Sequence, residues 1–121
     1  ERAEALGVHI VDAMDDADVV VDAIFGAGLS REIDEETQSI LHKLNSFKGH
    51  KIACDIPTGV GENGYLIPMA FRADVTITMG AWKEALYLDE SKDSIGKIIR
   101  VDLGVSSAMY ETQSNTYLLE T

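Results

Sequence analysis

The chain has one cysteine in 121 residues, so it cannot close an internal disulfide, and a reducing, cytoplasmic setting is expected. Cys54 stands in the run Ile52-Ala53-Cys54 and reads as a small buried hydrophobe rather than a reactive thiol. Basic residues are scarce: 10 Lys and Arg stand against 21 Asp and Glu, a formal charge of −11. Nucleic-acid binding needs clustered cations, so a nucleic-acid partner is excluded. No apolar run approaches the ~20 residues that cross a bilayer, which excludes a membrane span. The longest, Val19-Val20-Val21 with Ala23-Ile24-Phe25, is strand-sized and is interrupted by Asp22. The opening Glu1, Arg2 and Glu4 are charged, unlike a secretory signal. His9, His42 and His50 are scattered without ligand spacing, and neither a Ser-His-Asp pattern nor a Cys/His cluster is present. There is also no start methionine, so further residues are expected upstream.

What remains is the composition of one folded domain, with 45% hydrophobic residues. Five β-rich runs are legible at 8–11, 18–25, 51–56, 74–79 and 97–103, the first a weak edge strand. The run 18–25 is almost continuously apolar, which predicts a parallel strand covered on both faces. An amphipathic helix is predicted over 34–47, where Ile40, Leu41, Leu44 and Phe47 recur at three- and four-residue spacing. Asp34, Glu35 and Glu36 favour its amino-terminal end, and Gly49 is the expected carboxyl-terminal cap. Shorter helices are expected near 82–88 and 68–71, and Asn63-Gly64 signals a small hairpin excursion. Strand, crossover helix and strand make a βαβ unit, so the fold class is α/β with a mostly parallel sheet. Residues 106–121 read as a linker or tail.

Ligands of open parallel sheets bind beyond the carboxyl ends of the strands. Three runs end in glycine-bearing turns there: Gly26-Ala27-Gly28-Leu29-Ser30-Arg31, Asp55-Ile56-Pro57-Thr58-Gly59 and Gly80-Ala81-Trp82-Lys83. Gly26-Ala27-Gly28 is not a full dinucleotide fingerprint, because Arg31 stands at the third glycine position, and no Walker-type lysine follows any glycine pair. Asp22 is the odd residue in its strand, with apolar neighbours on either side. It either accepts loop amides or helps ligate a hard cation. Asp55, followed by the Thr58 hydroxyl, repeats the pattern, so an oxygen-rich cation site and a proton-transfer site both remain open. Lys83 either faces an anionic ligand or lies on the surface, and Trp82 reads as packing rather than as a base-stacking platform.

At these turns the chain resembles the NAD(P)H-hydrate epimerase family, the YjeF N-terminal domain. The likeness runs from about Asp18 to Val105 and is carried by Val21-Asp22-Ala23-Ile24-Phe25-Gly26-Ala27-Gly28-Leu29-Ser30, by Asp55-Ile56-Pro57-Thr58-Gly59, and by Arg72-Ala73-Asp74-Val75-Thr76-Ile77-Thr78-Met79-Gly80 with Lys83. Gly96-Lys97 and Val101-Asp102-Leu103-Gly104-Val105 complete it. The resemblance implies a Rossmann-like three-layer αβα domain over 1–105 that interconverts the R and S epimers of hydrated NADH or NADPH, damaged forms hydroxylated at C6 of the nicotinamide ring. It implies a bound potassium ion, with Asp22 and Thr58 as ligands; the family usually has serine at the position of Thr58. Gly26, Ala27, Gly28, Leu29, Ser30, Arg31 and Glu32 match the substrate-contacting loop, and Asp55 the substrate-binding aspartate, expected to move the proton. The family's G-x-G-N-N-G-G-D motif is missing, so the amino-terminal part of the domain, with part of the site, is expected to lie upstream, and the fragment could be inactive alone. Many members continue into an ADP- or ATP-dependent dehydratase resembling ribokinase, so 106–121 would suit a linker in a bifunctional protein; a homo-oligomer is also expected. A non-catalytic nucleotide-binding module, or a structural half-domain beside such a dehydratase, remains the alternative.

Overall fold

A computed structural model describes residues 2–109 and 116–119. Four short strands, β1 (Val19–Asp22), β2 (His50–Cys54), β3 (Val75–Met79) and β4 (Lys97–Val101), form one sheet in the order β1-β2-β3-β4. Every neighbouring pair is parallel, with Asp22 beside Ala53, Cys54 beside Ile77 and Met79 beside Val101. The parallel α/β reading of the sequence is therefore met. All four carboxyl ends consequently lie along one edge, which is what brings the glycine turns together.

Helix α2 (Glu35–Ser46) links β1 to β2, and α1 (Arg2–Ala5) and α3 (Lys92–Ile95) are single turns. Asp34 caps α2, its side chain accepting the Thr37 N–H at 2.8 Å. Leu41 and Leu44 on its inner face join Val20, Ile33, Ala53, Phe71 and Ala73 in the main core. Burying each such leucine contributes about 1.5–3 kcal/mol. A second cluster of Ile56, Val60, Ala70, Ala85, Leu86 and Ile95 lies under the turns that follow β2 and β3.

The core occupies one face of the sheet. Val20, Asp22, Ala53, Thr76 and Thr78 are buried there, whereas their strand neighbours Val19 and Val21 are 52% and 55% exposed. Parallel register places Val21, Ile52 and Val75 on this second face, together with Cys54, Ile77 and Ile99. The double-sided cover expected for the first strand is thus present on one side among the described residues. Crossovers of one hand that advance a sheet in one direction all lie on the same face.

Several local expectations change. Residues 8–11 form no strand, and Val8, Ile10 and Val11 are exposed. β1 stops at Asp22 because its carboxylate accepts the Ile24 N–H at 3.2 Å and turns the chain. The expected helix at 68–71 is absent. Its backbone groups are engaged elsewhere: Phe71 N–H donates to the Thr58 carbonyl, Asn45 Nδ2 donates to the Ala70 carbonyl, and Asn45 Oδ1 accepts from Arg72 N–H. Near 82–88 there is only the 3-10 turn Glu84–Leu86, where the Ser91 hydroxyl takes the Ala85 carbonyl at 2.7 Å. Gly49 does not cap α2, which ends at Ser46 with Phe47 as its cap; a Cβ at Gly49 would collide with the Ala17 carbonyl. The Asn63-Gly64 excursion is present, closed by an antiparallel bridge between Val60 and Leu66. Of 106–121, the structure shows a 3-10 turn at Ser107–Met109, and residues 110–115, 120 and 121 lie outside the described residues.

Candidate functional site

Asp22 is fully buried at the end of β1, and an isolated charge there would be costly. The turn after β2 meets that demand. Thr58 N–H donates to Asp22 Oδ2 and the Thr58 hydroxyl to Oδ1, both at 2.7 Å. The same hydroxyl oxygen accepts the Phe25 N–H at 3.2 Å, tying the two turns together. Burial pushes the Asp22 carboxyl above the ordinary range, against the lowering effect of the Thr58 and Ile24 donors. Gly59 makes this turn possible: it sits at φ +94°, and a Cβ there would run into the Met69 carbonyl.

Asp55 stands one turn away and is held from three directions. Oδ2 accepts the Ala27 N–H at 3.2 Å from the loop after β1. Oδ1 accepts the Met79 N–H at 3.2 Å and pairs with the Lys83 ammonium at 2.7 Å. Its backbone lies at φ +72°, the one non-glycine residue at positive φ among those described. Such a conformation costs roughly 1–3 kcal/mol and persists where the surroundings impose it. Partial burial works against its charge but is outweighed by Lys83 and by the Met79 and Ala27 amides, so its carboxyl lies below the ordinary range. Asp55 is therefore held in its carboxylate form.

Asp55 and Lys83 line a cavity of about 500 Å³ with Ile24, Phe25, Gly26, Cys54, Met79 and Leu103. Such a volume is in the range of small-molecule sites. A neighbouring hollow of about 260 Å³ is formed by Phe25, Gly26, Ala27, Gly28, Leu29, Ser30 and Arg31. Gly26 and Ala27 lie against Asp55, Leu29 leans on the core, and Glu32 is exposed outside both hollows. Asp22, Thr58, Asp55 and the loop 26–31 thus share one edge of the sheet.

The sequence left Lys83 undecided and gave Thr78 no role. Lys83 turns inward, bonding Thr78 Oγ1 at 2.9 Å and the Met79 carbonyl at 3.0 Å as well as Asp55. The available signal was the alternation Thr76, Thr78 on one strand face, followed by a lysine just past a glycine turn. Cys54 is half-buried in the cavity wall rather than in the core. Trp82 is a surface packing residue, with Arg100 5.5 Å over its ring and Tyr87 edge-on at 6.1 Å. His9, His42 and His50 are all exposed, and His50 lies 3.4 Å from Asp74.

The oxygens of Asp22 and Thr58 are a hard donor set with one buried negative charge, which suits an alkali cation better than a thiophilic metal. Among the described residues, no three His, Cys, Asp or Glu side chains gather as a metal centre. No helix among them is long and apolar enough to cross a membrane.

Comparison with known proteins fits this arrangement. Residues 1–85 match the family described as YjeF-related protein N-terminus. A bifunctional NAD(P)H-hydrate repair enzyme Nnr of Helicobacter pylori is 35% identical over 127 residues, covering 99% of this chain and 27% of that protein. An NAD(P)H-hydrate epimerase of Oenococcus oeni is 34% identical over 107 residues, covering 85% of this chain and 51% of that protein. A further bifunctional repair enzyme, from Thermofilum pendens, is 41% identical over 81 residues. The chain therefore spans about a quarter of the first of these relatives and about half of the second. With its parallel sheet, its strand-end turns and a match over residues 1–85, the chain belongs to the YjeF-related N-terminal family.

Proposed function

We propose that this chain forms part of the active site of an enzyme that interconverts the R and S epimers of hydrated NADH and NADPH. The observation that carries the reading is the convergence of Asp22, Thr58 and Asp55 on the loop amides of Ile24, Phe25 and Ala27 beside an open cavity. The relatives named as epimerases and repair enzymes support it.

In the proposed reaction, the C6–O bond of the hydrated ring breaks with its electron pair leaving on oxygen. A proton from solvent completes the departing water, and the N1 lone pair closes to an N1=C6 cation. The ionised Asp55 stabilises that cation electrostatically. Water then adds to the other face, and its excess proton passes to the Asp55 carboxylate and on to solvent. Within the proton-transfer role expected of it, Asp55 is here assigned the proton-accepting part. The loop 26–32 would hold the substrate. Asp22 and Thr58 would hold a potassium ion, which when bound supplies positive charge toward the pendant phosphates. The single cysteine supports a cytoplasmic setting, and the bifunctional relatives support a fused dehydratase, with 106–121 as its linker.

The test is epimerisation of purified R-epimer by the full-length protein and its Asp55→Asn variant, followed by chromatography. Asn tolerates the positive φ at this position, so the fold should stand while turnover falls by roughly 10²-fold or more. Equal turnover in the two proteins would remove Asp55 from the mechanism.

A further inference from the structure

Lys83 is not a surface lysine. Its side chain is 21% exposed, and its ammonium spends its three N–H groups on three acceptors: Asp55 Oδ1, Thr78 Oγ1 and the Met79 carbonyl. No N–H is left over for a ligand while these bonds stand. Among the described residues Asp55 Oδ2 accepts only the Ala27 amide, so this is the oxygen with capacity to receive a proton. Thr78 is buried on the covered face of β3, which fixes the far end of the lysine.

We propose that Lys83 is a positioning residue for the epimerisation reaction, clamping Oδ1 of Asp55 so that Oδ2 is presented, ionised, to the reacting ring. The inference rests on the epimerase reading of the site. Lys83 itself touches Asp55, Thr78 and backbone and is given no contact with substrate. The clamp joins β3 to β2, so it also sets the distance between two of the three turns. The groups facing Asp55 are few. The loop after β1 offers amides and apolar side chains, β2 contributes Cys54, the turn after β3 contributes Lys83, and Leu103 after β4 is apolar. Lys83 is the only cation among these lining residues, and removing it should raise the carboxyl's titration midpoint.

The experiment uses the full-length protein with Lys83→Met, Lys83→Arg, Asp55→Asn and the double variant Lys83→Met/Asp55→Asn. Three readouts are taken: turnover of the R-epimer, its dependence on pH, and the carboxyl ¹³C titration of Asp55. Lys83→Met should lower kcat more than it raises KM. It should also move the acid limb of the profile and the ¹³C midpoint upward by roughly 1–3 pH units. Lys83→Arg should restore much of both, since it keeps the charge. In the Asp55→Asn background, Lys83→Met should cost little more, because the two act as a unit. An unmoved ¹³C midpoint in Lys83→Met, or a full additional loss in the double variant, overturns the proposal. A wild-type protein without epimerase turnover would overturn the function reading, and the ¹³C midpoint would still decide whether Lys83 holds Asp55 ionised.

Discussion

At the scale of single residues, the site rests on two aspartates whose surroundings push them in opposite directions. Asp22 is raised by burial, and Asp55 is lowered because Lys83 and two amides outweigh its partial burial. The linkage signs follow. Asp55 is less readily protonated folded than unfolded, so its contribution is present above the ordinary carboxylate range and lost as pH falls through its lowered value. Asp22 has the reverse sign, its contribution being present in acid and lost as pH rises through its raised value. Thermal midpoints measured across the acid range should show Asp55→Asn flattening the acid-side loss and Asp22→Asn flattening the loss toward neutrality. Exchanged assignments would refute this ordering. Asp22→Asn also puts an NH₂ where one carboxylate oxygen now accepts a donor. A denaturant titration should therefore show it less stable by about 1–3 kcal/mol, and an unchanged midpoint would contradict the bonding described. Both aspartates were legible in the sequence because each interrupts or ends an apolar run. The Lys83 clamp was not, because it depends on β2 and β3 being neighbours, which no local pattern encodes.

At the scale of elements, α2 was the most legible part of the chain. Its apolar spacing, acidic first turn and Asp34 cap all act within one helix, and the structure differs only at its ends. Asp34→Ala should lower stability by about 1 kcal/mol in the same titration with little effect on turnover, since the cap lies outside both hollows. A large loss of activity without loss of stability would contradict that separation. The segments 68–71 and 82–88 misled for one shared reason. Their polar backbone groups are satisfied by distant partners: the turn at 58–59, Asn45 of α2 and the Ser91 hydroxyl. Helical propensity yields when such long-range bonds are available. Strand lengths were overread because Asp22 and Asp55, which look like strand residues by neighbourhood, are the residues that turn the chain.

At the scale of the whole molecule, sequential parallel strands with all crossovers on one side explain both the location of the site and the uncovered face. The almost continuously apolar run at 18–25 announced two buried faces, and composition reports what a face is made of, not whether anything lies on it. Val19, Val21, Met79 and Ile99 are accordingly 52%, 55%, 39% and 40% exposed, an apolar surface of the kind that proteins cover in their working state. The site edge is built from turns that bond one another, and Cys54 and Met79 of that uncovered face line its cavity.

Hydrogen–deuterium exchange of the full-length protein with and without hydrated NADH tests this joint edge most directly. The account predicts slowed exchange at the amides of 24–28, 55–59 and 79–83 together, and no change at 42–45 on α2. Protection confined to one of these turns, or appearing instead along α2, would contradict it.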